Sequence, residues 1–400
     1  VTFKTAWGQI KRRGGYHYYE RKARKLRSKS FPHQRGRVLV AGLLSSPNGI
    51  GRGGRLVCNG LLDLGYDVSA FDLSPVIQPE LSSISVPETA LDDGKGPIIL
   101  HVNPTEVPKA LHLLRDKNLK NRRLIGVWAW ELEQVPEVFY KSAELFDEVW
   151  SISEFSLHSF RDLPVPTVNM GYPIRPSQKP ISVDWREKLG ISEGFLILTS
   201  FDSRSSLSRK NPRAAVRAFL EAFKDSPDVK LIVKASGNLS PDDQAMFEAE
   251  NIDVIVDTLS ESEMTDLIRS CDCYLSLTRA EGFGLVGAEA ASYGISTIIT
   301  GWSAPAEWGE CPCVYLVDYD LTPVQDVHKV YENTKGLRWA EPKIAHAAEL
   351  LKHIAGLKPS ERQALGAKSM VWWGDNYGLE AYEDRLSEPT RHLMANTSVA

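Results

Sequence analysis

Twice along the chain, short apolar runs rich in β-branched residues alternate with amphipathic helical stretches. Runs of four to seven such residues read as strands buried on both faces, and helical intervals between them dictate crossover connections, so each copy predicts a doubly wound parallel sheet. Strands of the first copy are expected at Arg37–Leu44, Tyr66–Phe71, Ile98–Val102, Leu124–Trp128, Glu148–Ile152 and Val165–Val168. Those of the second are expected at Phe195–Ser200, Val229–Lys234, Val254–Asp257, Cys273–Leu277, Ile295–Ile299 and Val314–Val317. Between the copies, Pro173, Pro176 and Pro180 forbid a continuous helix and mark a linker. The expected organisation is an arm over 1–35, a Rossmann-like domain over 36–173, a linker over 174–189 and a second Rossmann-like domain over 190–365. A helical tail over 366–400 is expected to cross back towards the first domain. Two such domains in series place a cleft where the carboxyl ends of both sets of strands gather ligands.

A chain of 400 residues, 42% hydrophobic, can fill two such cores. Its net charge of −4 excludes the strongly basic balance of a nucleic-acid binder. Charge is instead local: Lys4, Lys11, Arg12, Arg13, Arg21, Lys22, Arg24, Lys25, Arg27 and Lys29 stand against Glu20 alone in residues 1–30. Trp7, Tyr16, Tyr18, Tyr19 and Phe31 interleave with them, the composition of a segment that docks on an anionic membrane surface, or of a solvated arm. No run of about 18 apolar residues and no signal-like start occurs, so a cytoplasmic location is the expectation. Cys58, Cys271, Cys273, Cys311 and Cys313 form no secreted disulfide framework, and the Cys-x-Cys pairs lack zinc-finger spacing. Period-two spacing is expected to put Cys271 and Cys273 on one buried strand face.

Three segments carry chemistry. Asn48-Gly-Ile-Gly-Arg-Gly-Gly54 follows the first strand as a loop leading into a helix expected over Leu56–Leu64. With Asp72 closing the next strand it matches the pattern of a nicotinamide dehydrogenase, although Ser45 to Asn48 lengthen the loop. In either setting, glycine lets backbone amides approach an anion. In Arg279-Ala-Glu-Gly-Phe-Gly-Leu-Val-Gly-Ala-Glu289, Glu281 is expected on a loop and Glu289 on a helix starting near Gly284. The free amides of Phe283, Gly284, Leu285 and Val286 could then hold a diphosphate or a sugar hydroxyl, with the two carboxylates gripping opposite ends of one elongated ligand. In Phe201-Asp-Ser-Arg-Ser-Ser-Leu-Ser-Arg-Lys-Asn-Pro212, Arg204, Arg209 and Lys210 place cations at a strand's carboxyl end, suited to a diphosphate leaving group.

Taken together, Glu281-x7-Glu289, Arg209-Lys-Asn-Pro212 and Thr300-Gly-Trp-Ser303 resemble glycosyltransferase family 4, a retaining family with the two-domain GT-B fold, across roughly residues 36–375. The resemblance implies that Lys210 and an upstream arginine, Arg204 or Arg209, bind the donor diphosphate. It implies that Glu289 holds the nucleotide ribose and Glu281 the transferred sugar, and that Gly49, Ile50 and Gly51 approach the phosphates or the donor sugar, assisted by the amides of Phe283, Gly284 and Leu285. The donor it implies is a nucleotide-diphosphate sugar, expected to be UDP- or GDP-linked. The basic arm points to a glycan or lipid-linked acceptor, as in bacterial surface polysaccharide synthesis, and with lysine and arginine available for the phosphates no metal is expected.

Where many relatives have a histidine, this chain reads Val127-Trp-Ala-Trp-Glu-Leu132. Glu131 is the expected acceptor-side residue; Trp128 or Trp130 stacks on a sugar or packs on the strand, and His101 and Asn103 are outside candidates. Asp318-Tyr-Asp320 nominally matches a cation-binding Asp-x-Asp, but sits where a loop pair is expected. The rival readings are the dehydrogenase and a non-catalytic nucleotide-sugar binding protein.

Overall fold

The computed structural model describes residues 17–27 and 33–396, apart from 178, 192, 238, 328, 329 and 332. Lys4, Lys11, Arg12, Arg13, Lys29, Trp7, Tyr16 and Phe31 lie outside the described residues.

The two expected sheets are present, each six-stranded and parallel. The first comprises β1 (Val38–Gly42), β2 (Val68–Asp72), β3 (Ile98–His101), β4 (Leu124–Trp128), β5 (Glu148–Ser151) and β6 (Thr167–Asn169), in spatial order β2-β1-β3-β4-β5-β6. The second comprises β7 (Phe195–Asp202), β8 (Val229–Ser236), β9 (Ile252–Ile255), β10 (Cys273–Ser276), β11 (Ser296–Thr300) and β12 (Val314–Val317), in order β12-β11-β10-β7-β8-β9. The chain reverses direction across the first sheet between β1 and β3 and across the second between β7 and β10. Those are the points where loops part and leave a crevice at the strand ends.

Three local expectations are corrected. The glycine cluster is not a loop before a helix at Leu56: the helix starts at Gly49 and runs to Asp63. The Asn48 side chain accepts from the Gly51 amide at 2.9 Å and starts the helix early. Gly51 and Gly53 lie within it because there is no room for side chains; a Cβ on Gly51 would sit 2.2 Å from the Ser46 carbonyl, and one on Gly53 2.4 Å from the Tyr172 hydroxyl.

Cys271 and Cys273 do not share a strand face. Cys271 caps the helix Glu261–Ser270 and packs with Leu267 and Ile268, while Cys273 begins β10 and faces Ile197 and Leu231 in another core cluster. Nor is Asp318-Tyr-Asp320 a loop pair, because Tyr319 opens β13 (Tyr319–Pro323), which pairs antiparallel with β14 (Arg338–Pro342).

The helix Pro359–Tyr377 leaves the second domain and the segments after it lie on the first. The Ile174 amide donates to the Tyr377 carbonyl at 2.8 Å, the Gly36 amide to the Leu393 carbonyl at 3.0 Å and the Asp67 amide to the Ala395 carbonyl at 2.8 Å. One apolar cluster therefore contains Val38, Val40 and Tyr172 together with Phe283, Trp308, Trp373, Tyr377 and Tyr382. Phe283 meets Tyr172, Trp308 and Tyr377 edge-on at 5.1, 5.6 and 5.7 Å, a packing that joins the two sheets through aromatic rings. On the tail's other side, the Ser369 hydroxyl lies between the buried thiols of Cys311 and Cys313 at 2.9 and 2.8 Å.

At the other end of the chain, residues 17–27 form a helix seated on the first domain. Ala23 is fully buried, and Arg27 donates to the Leu119 and Leu145 carbonyls and to Asp147. Among the described residues no helix is long and apolar enough to cross a membrane.

Trp373 is fully buried between Trp308, at 5.2 Å, and Tyr377, at 4.9 Å. Trp373→Ala is expected to cost about 3–5 kcal/mol and to lower the urea midpoint clearly. A wild-type midpoint would show that the tail contributes nothing to the core.

Candidate active site

Strands β7 and β10 are neighbours at the reversal of the second sheet, and the loop after each delivers one half of a charged cluster. After β7 comes the single-turn helix Leu207–Lys210, capped by Ser206, whose hydroxyl accepts from the Arg209 amide at 3.1 Å. Asn211 then takes a left-handed conformation (φ 47°), and Pro212 opens the next helix. This break in the chain holds Arg209 and Lys210 side by side at the strand end. After β10, Ala280 and Glu281 lead to Gly284, whose φ of 94° suits glycine and whose carbonyl starts the helix Leu285–Ser292. No side chain caps that helix. Gly282 is favoured by closeness, since a Cβ there would sit 3.0 Å from the Trp130 carbonyl of the first domain.

Glu281 accepts from Lys210 Nζ at 2.7 Å through one oxygen, and its other oxygen lies 3.0 Å from Arg209 Nη1. Burial acts to raise its pKa, and Lys210 and Arg209 together outweigh that and hold the carboxyl below the usual range, so Glu281 stays charged. Its amide donates to Ser303 Oγ at 2.9 Å, which brings the end of Thr300-Gly-Trp-Ser303 to the cluster. Arg209 also donates to the Ala280 carbonyl at 2.7 Å and reaches Glu131 of the first domain at 3.4 Å. The Arg209 Nε is buried and has no hydrogen-bond partner. Glu131 in turn accepts from the Tyr331 hydroxyl at 3.2 Å, so the residues between β13 and β14 also reach across the seam.

The structure thus brings together Arg209, Lys210, Glu281 and Glu131. Arg204 is not part of the group: its guanidinium folds back onto Asp202, with both contacts at 2.8 Å, because that carboxylate is two residues away on the same turn. Phe283, Gly284 and Leu285 border the cluster, although the Phe283 ring is occupied in the core. Gly49, Ile50 and Gly51 form the first turn of the helix after β1. Ile50 packs partly into the first domain. Glu289 accepts twice from Arg52, at 2.8 and 2.6 Å, and so faces the first domain's glycine-rich helix.

Trp128 cannot stack on a ligand, being fully buried among Phe139, Phe146 and Phe160. Trp130 lies between Phe139 and Tyr331 at 4.9 and 5.6 Å. His101 is enclosed beneath the glycine-rich helix, 3.0 Å from the Tyr172 hydroxyl, while the Asn103 side-chain Oδ1 is buried without a partner. Asp72 accepts from the Ser45 and Ser74 amides and the Ser74 hydroxyl, which ties the loops after β1 and β2 together and engages the acid that the dehydrogenase pattern needs for ribose. Asp318 and Asp320 lie near His346 and Lys343, and among the described residues no group of three or more His, Cys, Asp and Glu side chains is arranged to hold a metal.

Sequence reasoning missed Arg52, Arg55, Glu261 and Tyr331. Arg52 was visible inside the glycine cluster; Glu261, at the start of a helix, reads as a dipole-compensating surface acid, and nothing local marks Tyr331.

A family model described as "Family 4 Glycosyltransferase in conflict systems" matches residues 157–308, the stretch that contains Arg209, Lys210, Glu281 and Glu289. That stretch is similar to the family 4 glycosyltransferases. Its fold is the GT-B fold of solved glycosyltransferases. Sucrose-phosphate synthase from Thermosynechococcus elongatus superimposes with a TM-score of 0.60 at 13% identity, over 90% of this chain and 99% of that one. WaaG, a glycosyltransferase involved in lipopolysaccharide biosynthesis, gives 0.52 at 13% identity, over 90% and 98%. A mutant of S. aureus TarM, solved with Fondaparinux, alpha-GlcNAc-glycerol and UDP, gives 0.52 at 12% identity over 74% of this chain; the chain spans 55% of TarM's length. No match was found among curated proteins.

The enclosed His101 also makes a measurable prediction. Burial pushes its pKa from an ordinary 6.5 down to about 4, so the folded chain stays unprotonated where the unfolded chain takes up a proton. Stability from this residue is present above pH 6.5 and falls as pH drops towards 4, by about 3 kcal/mol in all. Urea titrations at pH 7 and pH 4.5 should show a smaller acid loss in His101→Gln than in wild type. Equal losses would mean that the imidazole is not buried neutral.

Proposed function

We propose that this chain is a retaining glycosyltransferase that moves a sugar from a nucleotide-diphosphate donor, UDP- or GDP-linked, to a glycan or lipid-linked acceptor without a metal. The observation that carries the reading is the convergence of Arg209 and Lys210 on Glu281 at the sheet reversal, with the Arg209 Nε left unpartnered. Breaking the bond from the anomeric carbon to the diphosphate moves an electron pair onto a phosphate oxygen. The demand is therefore for cations fixed in place before the reaction. Lys210 and Arg209 meet it, assisted by the amides that open the helix Leu285–Ser292.

In this reading the carboxylates exchange partners when donor enters. Glu281 turns from its cations to hydroxyls of the transferred sugar, and Glu289 turns to those of the ribose. Glu131 faces the acceptor, whose oxygen bonds to the anomeric carbon on the face the diphosphate leaves while its proton passes to the departing oxygen. No covalent enzyme nucleophile is needed. Contact between the domains excludes water and suppresses donor hydrolysis.

A role in bacterial surface polysaccharide synthesis, on the cytoplasmic face of the membrane, is part of the proposal. It is supported by the basic residues of the arm, of which Arg21, Arg24 and Lys25 are exposed on the 17–27 helix. Arg24 is also paired with Glu144 at 2.7 Å, so part of that charge serves to seat the helix.

Nucleoside diphosphate release from a panel of UDP-, GDP- and ADP-sugars tests the reading. Wild type should turn over at least one of them, and Lys210→Ala and Glu289→Gln should each reduce release by about 100-fold or more while melting cooperatively. Full activity in either variant would refute the assignment. Sedimentation with anionic phosphatidylglycerol vesicles, with and without residues 1–30, tests the membrane role; equal binding would remove it.

A further inference from the structure

The seam between the domains holds a second group of charges, of which the proposed chemistry uses Glu289 and leaves Arg52, Arg55 and Glu261 without a role. Arg52, on the glycine-rich helix, donates Nε and Nη2 to one oxygen of Glu289 at 2.8 and 2.6 Å and lies 2.7 Å from Glu261 through Nη1. Arg55, one turn on, reaches the same Glu261 oxygen at 2.7 Å. The two guanidiniums come from the first domain and the two carboxylates from the second, the reverse of the polarity by which Glu131 meets Arg209.

The two arginines are held differently. Arg55 is buried and donates to the Leu44 and Ser46 carbonyls at 2.6 and 2.8 Å, so the main chain fixes it. Among the described residues the ion pairs and side-chain hydrogen bonds of Arg52 run to Glu289 and Glu261, and its side chain, 27% exposed, lines an open cleft of about 460 Å³ with Asn59, Arg175 and Lys179. It is the member of the group able to change partner.

Charge balance supplies a reason for it to do so. Arg52 and Arg55 offset Glu261 and Glu289, and Arg209 and Lys210 offset Glu131 and Glu281, so among these eight side chains a donor carrying two negative charges meets no unpaired cation. Glu289, to which the functional reading assigns the ribose, gives both Arg52 contacts through one oxygen and cannot offer that oxygen to a diol until Arg52 leaves. A guanidinium released in a half-buried seam needs an anion, and the ligand that displaces it brings one. Glu289 lies four residues past Leu285, roughly 6 Å along the helix from its free amides, a distance that a swinging arginine side chain covers.

We infer that Arg52 is a further donor-contacting residue: when a nucleoside diphosphate enters, Arg52 exchanges Glu289 for the phosphates, while Arg55 keeps Glu261 in place. This rests on the functional reading above and adds to it a first-domain cation that couples domain contact to occupancy of the site.

Calorimetric titration separates the possibilities. Wild type is titrated with UDP, GDP and ADP and with uridine, guanosine and adenosine, and the diphosphate that binds is carried to the variants with its nucleoside. Arg52→Gln should weaken the diphosphate about 10-fold or more and change the nucleoside less than about twofold, and Arg52→Lys should recover part of the loss. Unchanged or tighter diphosphate binding in Arg52→Gln would overturn the inference and leave the functional reading intact, since the pair would then be a clasp that donor only has to break. Equal losses for diphosphate and nucleoside would overturn it too, marking Arg52 as structural; Arg52→Lys, which keeps the charge, serves the same comparison if Arg52→Gln does not fold. A wild type that binds no nucleoside diphosphate would sink both readings.

Discussion

Burying charge is what the second domain's strand ends have to reconcile with folding. Lys210 and Glu281 are largely buried there, and an isolated ion in such surroundings would be costly. Mutual pairing solves the problem, at the cost of engaging both Lys210 and Arg209. The same arrangement makes a receptor for a ligand whose own charges and hydroxyls replace those pairings. In this account binding is an exchange of partners rather than the filling of an empty, charged cavity, and the unpaired Arg209 Nε marks a place where the exchange leaves the protein better satisfied.

The exchange depends on the domains being held at a fixed spacing, and that is the work of apolar contacts. Phe283 is two residues from Glu281, and its ring is clasped by Tyr172 of the first domain and by Trp308 and Tyr377. Gly282, between them, lets the loop approach the Trp130 carbonyl. Anything that shifts the aromatic group moves Glu281 with it. The tail reinforces this by pairing its last residues with Gly36 and Asp67 while its long helix remains against the second domain. A two-domain enzyme that must both open and exclude water gains from such a strap, because the seam can loosen without the domains separating.

Much of this was legible in the sequence. Each of the twelve strands of the two sheets lies within a few residues of its expected place, because buried parallel strands leave dense apolar runs that solvent-facing segments do not. Glu281, Arg209 and Lys210 were legible because glycines and a proline surround them where helix propensity argues against both. What escaped was set by tertiary contact. The early start of the helix at Gly49 is decided by one Asn48 side chain, and the β13–β14 hairpin by alternation too short to distinguish from loop. Glu131 meets Tyr331 across two hundred residues of chain, a pairing that no local pattern records. The position of Arg204 outside the cluster escaped for a similar reason: its competitor for charge, Asp202, was two residues away in plain sight, but whether a short-range pair forms depends on the turn's geometry.

The central claim concerns where the phosphates of a donor lie, and a crystal structure of the chain with its nucleoside diphosphate addresses that directly. The account predicts the terminal phosphate within hydrogen-bond distance, roughly 3 Å, of Lys210 Nζ and Arg209 Nε and facing the amides at Leu285 and Val286, with the Lys210–Glu281 contact broken. A nucleotide seated elsewhere, with Lys210 still on Glu281, would contradict it.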